Sequence, residues 1–296
     1  MVWISGNKGM LGTELSILLE KNGLPFFGTG REVDITSFPV LRDYTSNKKI
    51  DWIINCAAYT AVDKAEDDAK ACYMVNTLGA ANVAECTKSI GARLIHISTD
   101  YVFDGKRTIA ERTMRPHQED DETNPAGVYA LTKRDGELAI LKNNPSSYVI
   151  RRAWLYGKYG NNFVNTMLRL MNERDEIKVV DDQRGSPTWA FDLASVVISV
   201  IKTASLGKDI PFGIYHYTNE GDITWFDFAK EIYRQGREQG CIKKDCAVNP
   251  CTSVEYQIKA KRPAYAVLDV TKIRKTIDID IPDWKTSLAK YLELIS

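Results

Sequence analysis

The chain begins with a short apolar run ended by glycine, "VWISG" at 2–6. A segment follows in which Leu11, Leu15, Leu18 and Leu19 recur at helical spacing up to Gly23. This strand-then-helix alternation repeats. "PFFGTG" (25–30) reads as a second strand, and 34–48 as a helix after Pro39. "DWIINCAA" (51–58) reads as a third strand, and 66–90 as one long helix from near Glu66 to Gly91. "RLIHISTD" (93–100) is a fourth strand, "YALTKRDGELAILKNN" (129–144) a helix and "YVIRRAWLYG" (148–157) a fifth strand. Strands alternating with helices imply right-handed crossovers and a parallel sheet. Past residue 157 the rhythm loosens. Short strands ("IKVVDDQRG", "GIYHYTN") mix with helices at 189–204, 224–239 and 285–294. The expected fold is α/β: a Rossmann-type doubly wound parallel sheet in residues 1–157, joined by some later segments, and a smaller α/β substrate-binding domain in 158–296.

The 296-residue length suits two domains or one large α/β unit. Thirty-nine basic and thirty-nine acidic residues cancel, so no global basic field draws nucleic acid. No apolar run approaches the roughly 20 residues that span a bilayer, which argues against a membrane. "MVWISGNKGM" lacks the basic region and apolar stretch of a signal peptide. The six cysteines form no CxxC pair. Cys241, Cys246 and Cys251 lie close in sequence, but no histidine accompanies them, so no metal is expected there. Reduced thiols in a cytoplasmic monomer or homodimer are the expectation.

The first strand-to-helix turn reads "SGNKGMLG", with Gly6, Gly9 and Gly12 spaced as GxxGxxG. Glycines there permit a tight turn, a close backbone approach to a pyrophosphate and close helix-on-sheet packing, and the helix N-terminus faces the anion. Lys8, Met10 and Leu11 share this loop and the first helical turn, so residues 6 and 8–12 are cofactor candidates. At the end of the second strand a dinucleotide fold selects its cofactor through the ribose 2′ position. Here Thr29 and Arg31 suit a 2′-phosphate, while Glu32 and Asp34 give a mixed signal. NADPH is the expected cofactor, with NADH as the other option.

Tyr129 and Lys133 in "YALTK" stand four apart, on one face of a helix. A phenol has an unperturbed pKa of about 10, and a neighbouring ammonium lowers it. Such a tyrosine can protonate a carbonyl oxygen that receives a hydride. Lys133 can also bond the nicotinamide ribose. A hydroxyl at the end of the fourth strand, Ser98 or Thr99, should hold the carbonyl. Of the histidines, His117 reads as solvated in a loop, His96 as a satisfied core residue and His216 as uninformative.

"GNKGMLG", "NCAAYTAVDKAE", "HISTDYVFDG" and "YALTK" together resemble the extended short-chain dehydrogenase/reductases. "AAYTAVDKAE", "STDYVFDG", "GNNFVNTMLRL", "DDQRGSPT" and "KRP" narrow the likeness to the dTDP-4-dehydrorhamnose reductase family, over nearly the whole chain. The resemblance implies reduction of the 4-keto group of a nucleotide sugar, with Thr99, Tyr129 and Lys133 catalytic. It implies Asp34 and Ile35 beside the adenine, and Asn55, Ala57, Ala58 and Tyr59 along the cofactor. Substrate contacts are implied at Tyr101, Trp154, Asn162, Gln183 and Arg262. Trp154 as core filler and Arg262 as a domain-edge salt bridge are the competing readings.

This chain also departs from the family pattern. Glu14 matches one glutamate of an intersubunit magnesium site, but Phe191 stands where another belongs, so magnesium is doubtful. Ala266 replaces a serine and Ala130 a glycine. Residues 106–125 form a longer insertion, expected to act as a lid or contact surface. A reductase of another nucleotide 4-keto-6-deoxy sugar and a non-catalytic dinucleotide-binding regulatory subunit are the alternative functions.

Overall fold

The computed structural model describes residues 1–105, 115–256 and 260–296. Residues 106–114 of the expected 106–125 lid lie outside the described residues. Six strands form one wholly parallel sheet: β1 (Val2–Ser5), β2 (Phe26–Thr29), β3 (Trp52–Asn55), β4 (Arg93–Thr99), β5 (Ser147–Arg152) and β6 (Gly213–His216). Their spatial order is β2-β1-β3-β4-β5-β6. The order reverses between β1 and β3, and at such a switch point the loops after the two strands diverge and leave a crevice.

Both faces of the sheet are covered, which is why its strands read as continuous apolar runs rather than alternating ones. Val2, Ile4, Ile54, Ile95 and Ile150 pack on α1 (Met10–Lys21) and on a helix at Ala190–Ser205. Trp3, Ile53, Leu94 and Val149 face the other way, against Phe38–Thr45, Ala80–Ser89 and Ile140. Ile140 belongs to α2 (Val128–Asn143), the helix that carries the YALTK motif.

Two features bear on the site, and the second departs from the sequence reading. "GIYH" at 213–216 joins the main sheet as its edge strand β6, beside β5. The expected single helix over 66–90 is broken: Ala69–Tyr73 is α-helical, Met74–Gly79 is a π-helical turn, and Ala80–Ser89 resumes the α-helix. π-Turns inside helices often mark functional sites. Here the turn holds Asn76, whose amide accepts from the Tyr59 N–H (2.8 Å) and donates to the Tyr59 carbonyl (3.1 Å).

The later chain builds a second core. It gathers Tyr156, Met167 and Met171, Trp189, Phe228, Ile232, Trp284, Leu288 and Tyr291. α3 (Phe163–Glu173), α4 (Trp225–Glu238) and α5 (Trp284–Ile295) supply most of it. The α4 start is fixed by a capping box between Thr224 and Asp227. No helix among the described residues is long and apolar enough to cross a membrane.

Candidate active site

A cleft of about 1000 Å³ opens at the switch point. Gly6, Lys8 and Gly9 line it from the first loop, Gly30–Thr36 from the segment after β2, and Cys56–Ala61 from the loop after β3. Gly6 sits at φ +78°, and a Cβ there would lie 2.8 Å from the Ala57 nitrogen. At Gly12 a Cβ would come within 2.3 Å of the Gly6 carbonyl oxygen. Both positions therefore require glycine, one for conformation and one for close approach. The result is a backbone cradle at the N-terminus of α1, suited to a pyrophosphate.

Not every residue singled out in this region faces the cleft. Leu11 is buried in the sheet core. The Thr29 hydroxyl accepts from the Trp3 indole (3.0 Å), while its carbonyl accepts from the Gly6 and Asn7 N–H groups (2.7 and 3.1 Å). Thr29 therefore ties the glycine loop to the sheet. The Glu32 carboxylate folds back to accept the Gly30 N–H at 2.7 Å, which holds it below the ordinary glutamate pKa. Arg31 and Asp34 are exposed along the cleft. Sequence reasoning missed Asn76, whose grip on Tyr59 shapes the loop after β3. An asparagine inside an apolar helical pattern was the available signal.

The second part of the site lies at the C-terminal end of β4. Thr99 ends that strand, and its hydroxyl donates to Asp100 Oδ1 (2.9 Å) and accepts from the Tyr101 N–H (3.3 Å). The Tyr129 phenol faces Thr99, whose side chain favours the phenolate and so opposes the rise in its pKa. Of the two hydroxyls left open by the sequence, Thr99 thus meets the phenol, while Ser98 donates to the Glu137 carboxylate deeper in the fold. Tyr129 lies in the first turn of α2, which starts at Gly127 (φ +92°). The Val128 N–H there donates to Glu66 Oε1 at 2.9 Å, so Glu66 takes up one of the helix's free donors. Tyr101 packs edge-on against Tyr129, with ring centroids 5.5 Å apart.

Lys133 lies one turn later, only 2% exposed. Its Nζ donates to the Ile97 carbonyl (2.8 Å) and lies 3.2 Å from His96 Nε2. Burial lowers its pKa to about 8, against the pull of the Glu137 carboxylate. The expected lowering of the Tyr129 phenol does not occur. Tyr129 is only 4% exposed, and that burial raises its pKa, with the Arg152 guanidinium as the largest opposing influence. Desolvation outweighs the neighbouring cations because phenolate loses more hydration than they return. Arg152, paired in register with Thr99 across β4 and β5, was not anticipated from sequence. It also opposes the burial that pushes Asp100 up to about 6.

The later chain approaches this edge unevenly. Arg262 donates from Nη2 to Asp63 Oδ2 (3.1 Å), linking the 260–262 segment to the short helix Val62–Ala65 beyond β3. Its charge also acts on the Tyr101 phenol, so it lies on the side of Tyr101 and Tyr129. Trp154 has the left-handed φ of +42° and stacks on Trp225 with centroids 3.5 Å apart. It is half-buried, packed over Gly185. Asn162 caps α3: its Oδ1 accepts the Asn165 N–H (3.0 Å) and its Nδ2 donates to the Gly157 carbonyl (2.7 Å). Gln183 is buried and donates to Ser253 Oγ (2.9 Å).

His117 is not solvated. It is buried and stacked on Phe103 at 4.1 Å, because the 115–121 segment folds back over the end of β4. His216 is also buried, with Nδ1 beside the His117 carbonyl (3.0 Å). Among the described residues, no group of three or more His, Cys, Asp or Glu side chains is placed to hold a metal ion. Glu14 is buried in α1, its pKa raised by that burial.

Comparison with known proteins places this geometry. The family model described as RmlD substrate binding domain matches residues 1–296. A dTDP-4-dehydrorhamnose reductase of Aggregatibacter actinomycetemcomitans is 39% identical over 291 residues, covering 96% of each chain. The crystal structure of a dTDP-4-dehydrorhamnose reductase from Clostridium acetobutylicum superposes with a TM-score of 0.90 at 40% identity, covering 99% of both chains. That of dTDP-4-dehydrorhamnose reductase from Bacillus anthracis in complex with NADP gives 0.88 at 35% identity, covering 98% of this chain and 97% of that one. With the parallel sheet, the glycine cradle and the Thr99–Tyr129–Lys133 edge already in place, these matches show that the chain belongs to the dTDP-4-dehydrorhamnose reductase family of oxidoreductases.

Proposed function

We propose that this protein reduces the 4-keto group of dTDP-4-dehydro-L-rhamnose to give dTDP-L-rhamnose, with NADPH as reductant. The observation that carries the reading is the Thr99–Tyr129 hydroxyl pair at the end of β4, beside a glycine-cradled cleft, with Lys133 one turn along α2. The Bacillus anthracis relative was solved with NADP, which supports the cofactor class.

The cleft residues fit a dinucleotide. Gly6, Gly9 and Gly12, at the start of α1, would hold the pyrophosphate, with Met10 and Leu11 fixing the helix behind it. Asp34 and Ile35 would flank the adenine, and Asn55, Ala57, Ala58 and Tyr59 would form the opposite wall. Arg31 and Lys8 are the cations available to a 2′-phosphate, and Glu32 is turned back onto Gly30. A bound reduced nicotinamide supplies the hydride.

The chain's own residues handle the proton. Thr99 positions the substrate carbonyl, and Tyr129 gives its phenolic proton to the oxygen as negative charge develops there. A raised phenol pKa keeps that proton in place until the carbonyl oxygen becomes basic enough to take it. The Arg152 guanidinium then steadies the phenolate, and Lys133 holds the nicotinamide ribose. Residues 1–157 serve mainly the dinucleotide and 158–296 mainly the substrate. On that side Arg262 would meet the diphosphate, and Tyr101 with the Trp154–Trp225 stack would border the sugar and base. Asn162 and Gln183 would act by holding α3 and the 183–185 segment in place.

The test is NADPH oxidation with enzymatically prepared dTDP-4-dehydro-L-rhamnose, with the product identified by NMR. Stoichiometric dTDP-L-rhamnose is the expected result. Dinucleotide binding without turnover would indicate a regulatory subunit, and turnover confined to a different 4-keto sugar would reassign the substrate.

A further inference from the structure

The proposed chemistry leaves several buried titratable groups unused, among them His96, on β4, three residues before Thr99 and 1% exposed. Its ring bridges two site residues. Nδ1 lies 3.1 Å from Asn55 Nδ2, and Nε2 lies 3.2 Å from Lys133 Nζ. The Asn55 amide is oriented by a third contact, because its Oδ1 accepts the Ala57 N–H at 3.2 Å. Asn55 must therefore present its NH2 to the imidazole, and Nδ1 must accept. Burial, reinforced by the Lys133 charge, pushes the His96 pKa well below 6.5, so the ring is neutral. A neutral ring that accepts at Nδ1 carries its proton on Nε2. That proton points at Lys133. An ammonium has three donors and no acceptor, whereas a neutral amine has a lone pair to receive the bond.

We propose that Asn55, His96 and Lys133 form a tautomer chain in which the Asn55 amide, set by the backbone of the cofactor-facing loop, decides whether Lys133 carries a proton. The inference rests on the reading that Lys133 serves the reaction, and His96 is a positioning residue within it. In the amine state, Asn55 Nδ2 donates to Nδ1, and Nε2–H donates to the Nζ lone pair. In the ammonium state, Nζ donates to Nε2, and the proton on Nδ1 donates to an Asn55 amide that has turned and released the Ala57 N–H. The ring is neutral in both states. The Nε2 proton passes to Nζ while Nδ1 takes one from solvent, so one proton is gained overall.

Other groups acting on Lys133 bias the balance without setting the ring tautomer. These are Glu137 on α2, Arg152 at the end of β5, Cys56 after β3, and Cys72. Ala57 lines the dinucleotide cleft, so cofactor contact with this loop is coupled to the charge on Lys133.

The experiment reads the tautomer directly. With three histidines in the chain, 15N-histidine spectra of the intact protein can be assigned and followed from pH 6 to 10. The expected result is a neutral His96 protonated at Nε2 above pH 9 and at Nδ1 below pH 7, with one transition between them. In Lys133→Met the tautomer should not change with pH. Asn55→Asp leaves only acceptors facing Nδ1 and Ala57, so it should favour the ammonium and move the alkaline limb of turnover up by about one pH unit. A tautomer in the wild-type protein that does not respond to pH, or an alkaline limb unmoved in Asn55→Asp, overturns the chain. Near-normal turnover in Lys133→Met, alongside a titrating tautomer, would instead overturn the catalytic reading and leave the chain standing.

Discussion

The end of β4 with the start of α2, and the later segments facing them, treat polar side chains in opposite ways. At the catalytic edge, Asp100, Tyr129 and Lys133 are almost fully buried, and burial is the largest influence displacing each from its ordinary pKa. Across from them, the amides of Asn162 and Gln183 are engaged by neighbours in their own part of the fold. The first region keeps ionisable groups in an environment that penalises their charge, which is the physical mark of a site that moves protons. The second spends its amides on holding loops and helix ends. Of the polar residues expected there, Arg262 has its charge directed at the catalytic side, and its Nε is buried without a hydrogen-bond partner among the described residues. On the proposed reading, reaction chemistry is concentrated on the sheet ends, and recognition depends on how the later chain is braced over them.

The largest test of that contrast is Tyr129→Phe. It removes one oxygen from the catalytic edge and should lower turnover roughly a hundredfold or more, the usual scale for a positioned general acid. The NADPH dissociation constant should stay within about twofold, measured by fluorescence titration. Near-normal turnover would mean that the buried phenol is merely packed against Tyr101. A smaller effect is expected at Arg31. Arg31→Ala should weaken NADPH about ten- to a hundredfold and leave NADH nearly unchanged, because a lost charge-assisted contact is worth about 1.5–3 kcal/mol. Equal losses for both cofactors would show that Arg31 does not read the 2′-phosphate and would leave Lys8 as the candidate.

Legibility in the sequence follows the same divide. The glycine turn and YALTK could be read because each is a local rule: a few consecutive positions fix both backbone and chemistry. "VWIS" and "WIIN" could be read as buried strands because helices cover both faces of a parallel sheet. Contacts between distant elements were not readable. Nothing near Thr29 announces that the Trp3 indole takes its hydroxyl, and nothing near Arg152 announces its register with Thr99. His117 looked solvated because its flanking residues are polar, yet Phe103 and the 265–269 segment enclose it. The rise in the Tyr129 pKa was missed because sequence shows which charges are near but not how much water is excluded.

Lys133 gives a stability test of the buried edge. Its folded pKa of about 8 lies below the ordinary lysine value, so between pH 8 and about 10.4 the unfolded chain binds more protons than the folded one. Wild-type stability therefore gains from this group as pH rises through that window, by up to about 1.4 kcal/mol per unit, and the gain ends above it. Lys133→Met has no such proton to release. The unfolding free energy of the wild type relative to Lys133→Met, from urea titrations at pH 7.5 and 9.5, should shift toward the wild type at the higher pH. A difference that does not depend on pH would mean that Lys133 is solvated in the folded state.

The smallest effect sharpens the other side of the contrast. Asn162 receives the Asn165 N–H as the N-cap of α3 and also ties that helix to the Gly157 carbonyl. An N-cap asparagine replaced by alanine costs about 0.5–2 kcal/mol. Asn162→Ala should lose that much stability in urea unfolding, while KM for the sugar nucleotide and turnover at 25 °C stay within about twofold of wild type. Asn162→Asp should restore most of the stability, because a carboxylate also accepts the Asn165 N–H and suits a helix N-terminus. The Gly157 contact would not return, since a carboxylate cannot donate to a carbonyl, so any deficit left in Asn162→Asp measures that second bond. If KM instead rises tenfold while stability is unchanged, Asn162 faces the substrate, and the division between a braced later chain and a reactive sheet edge fails at this residue.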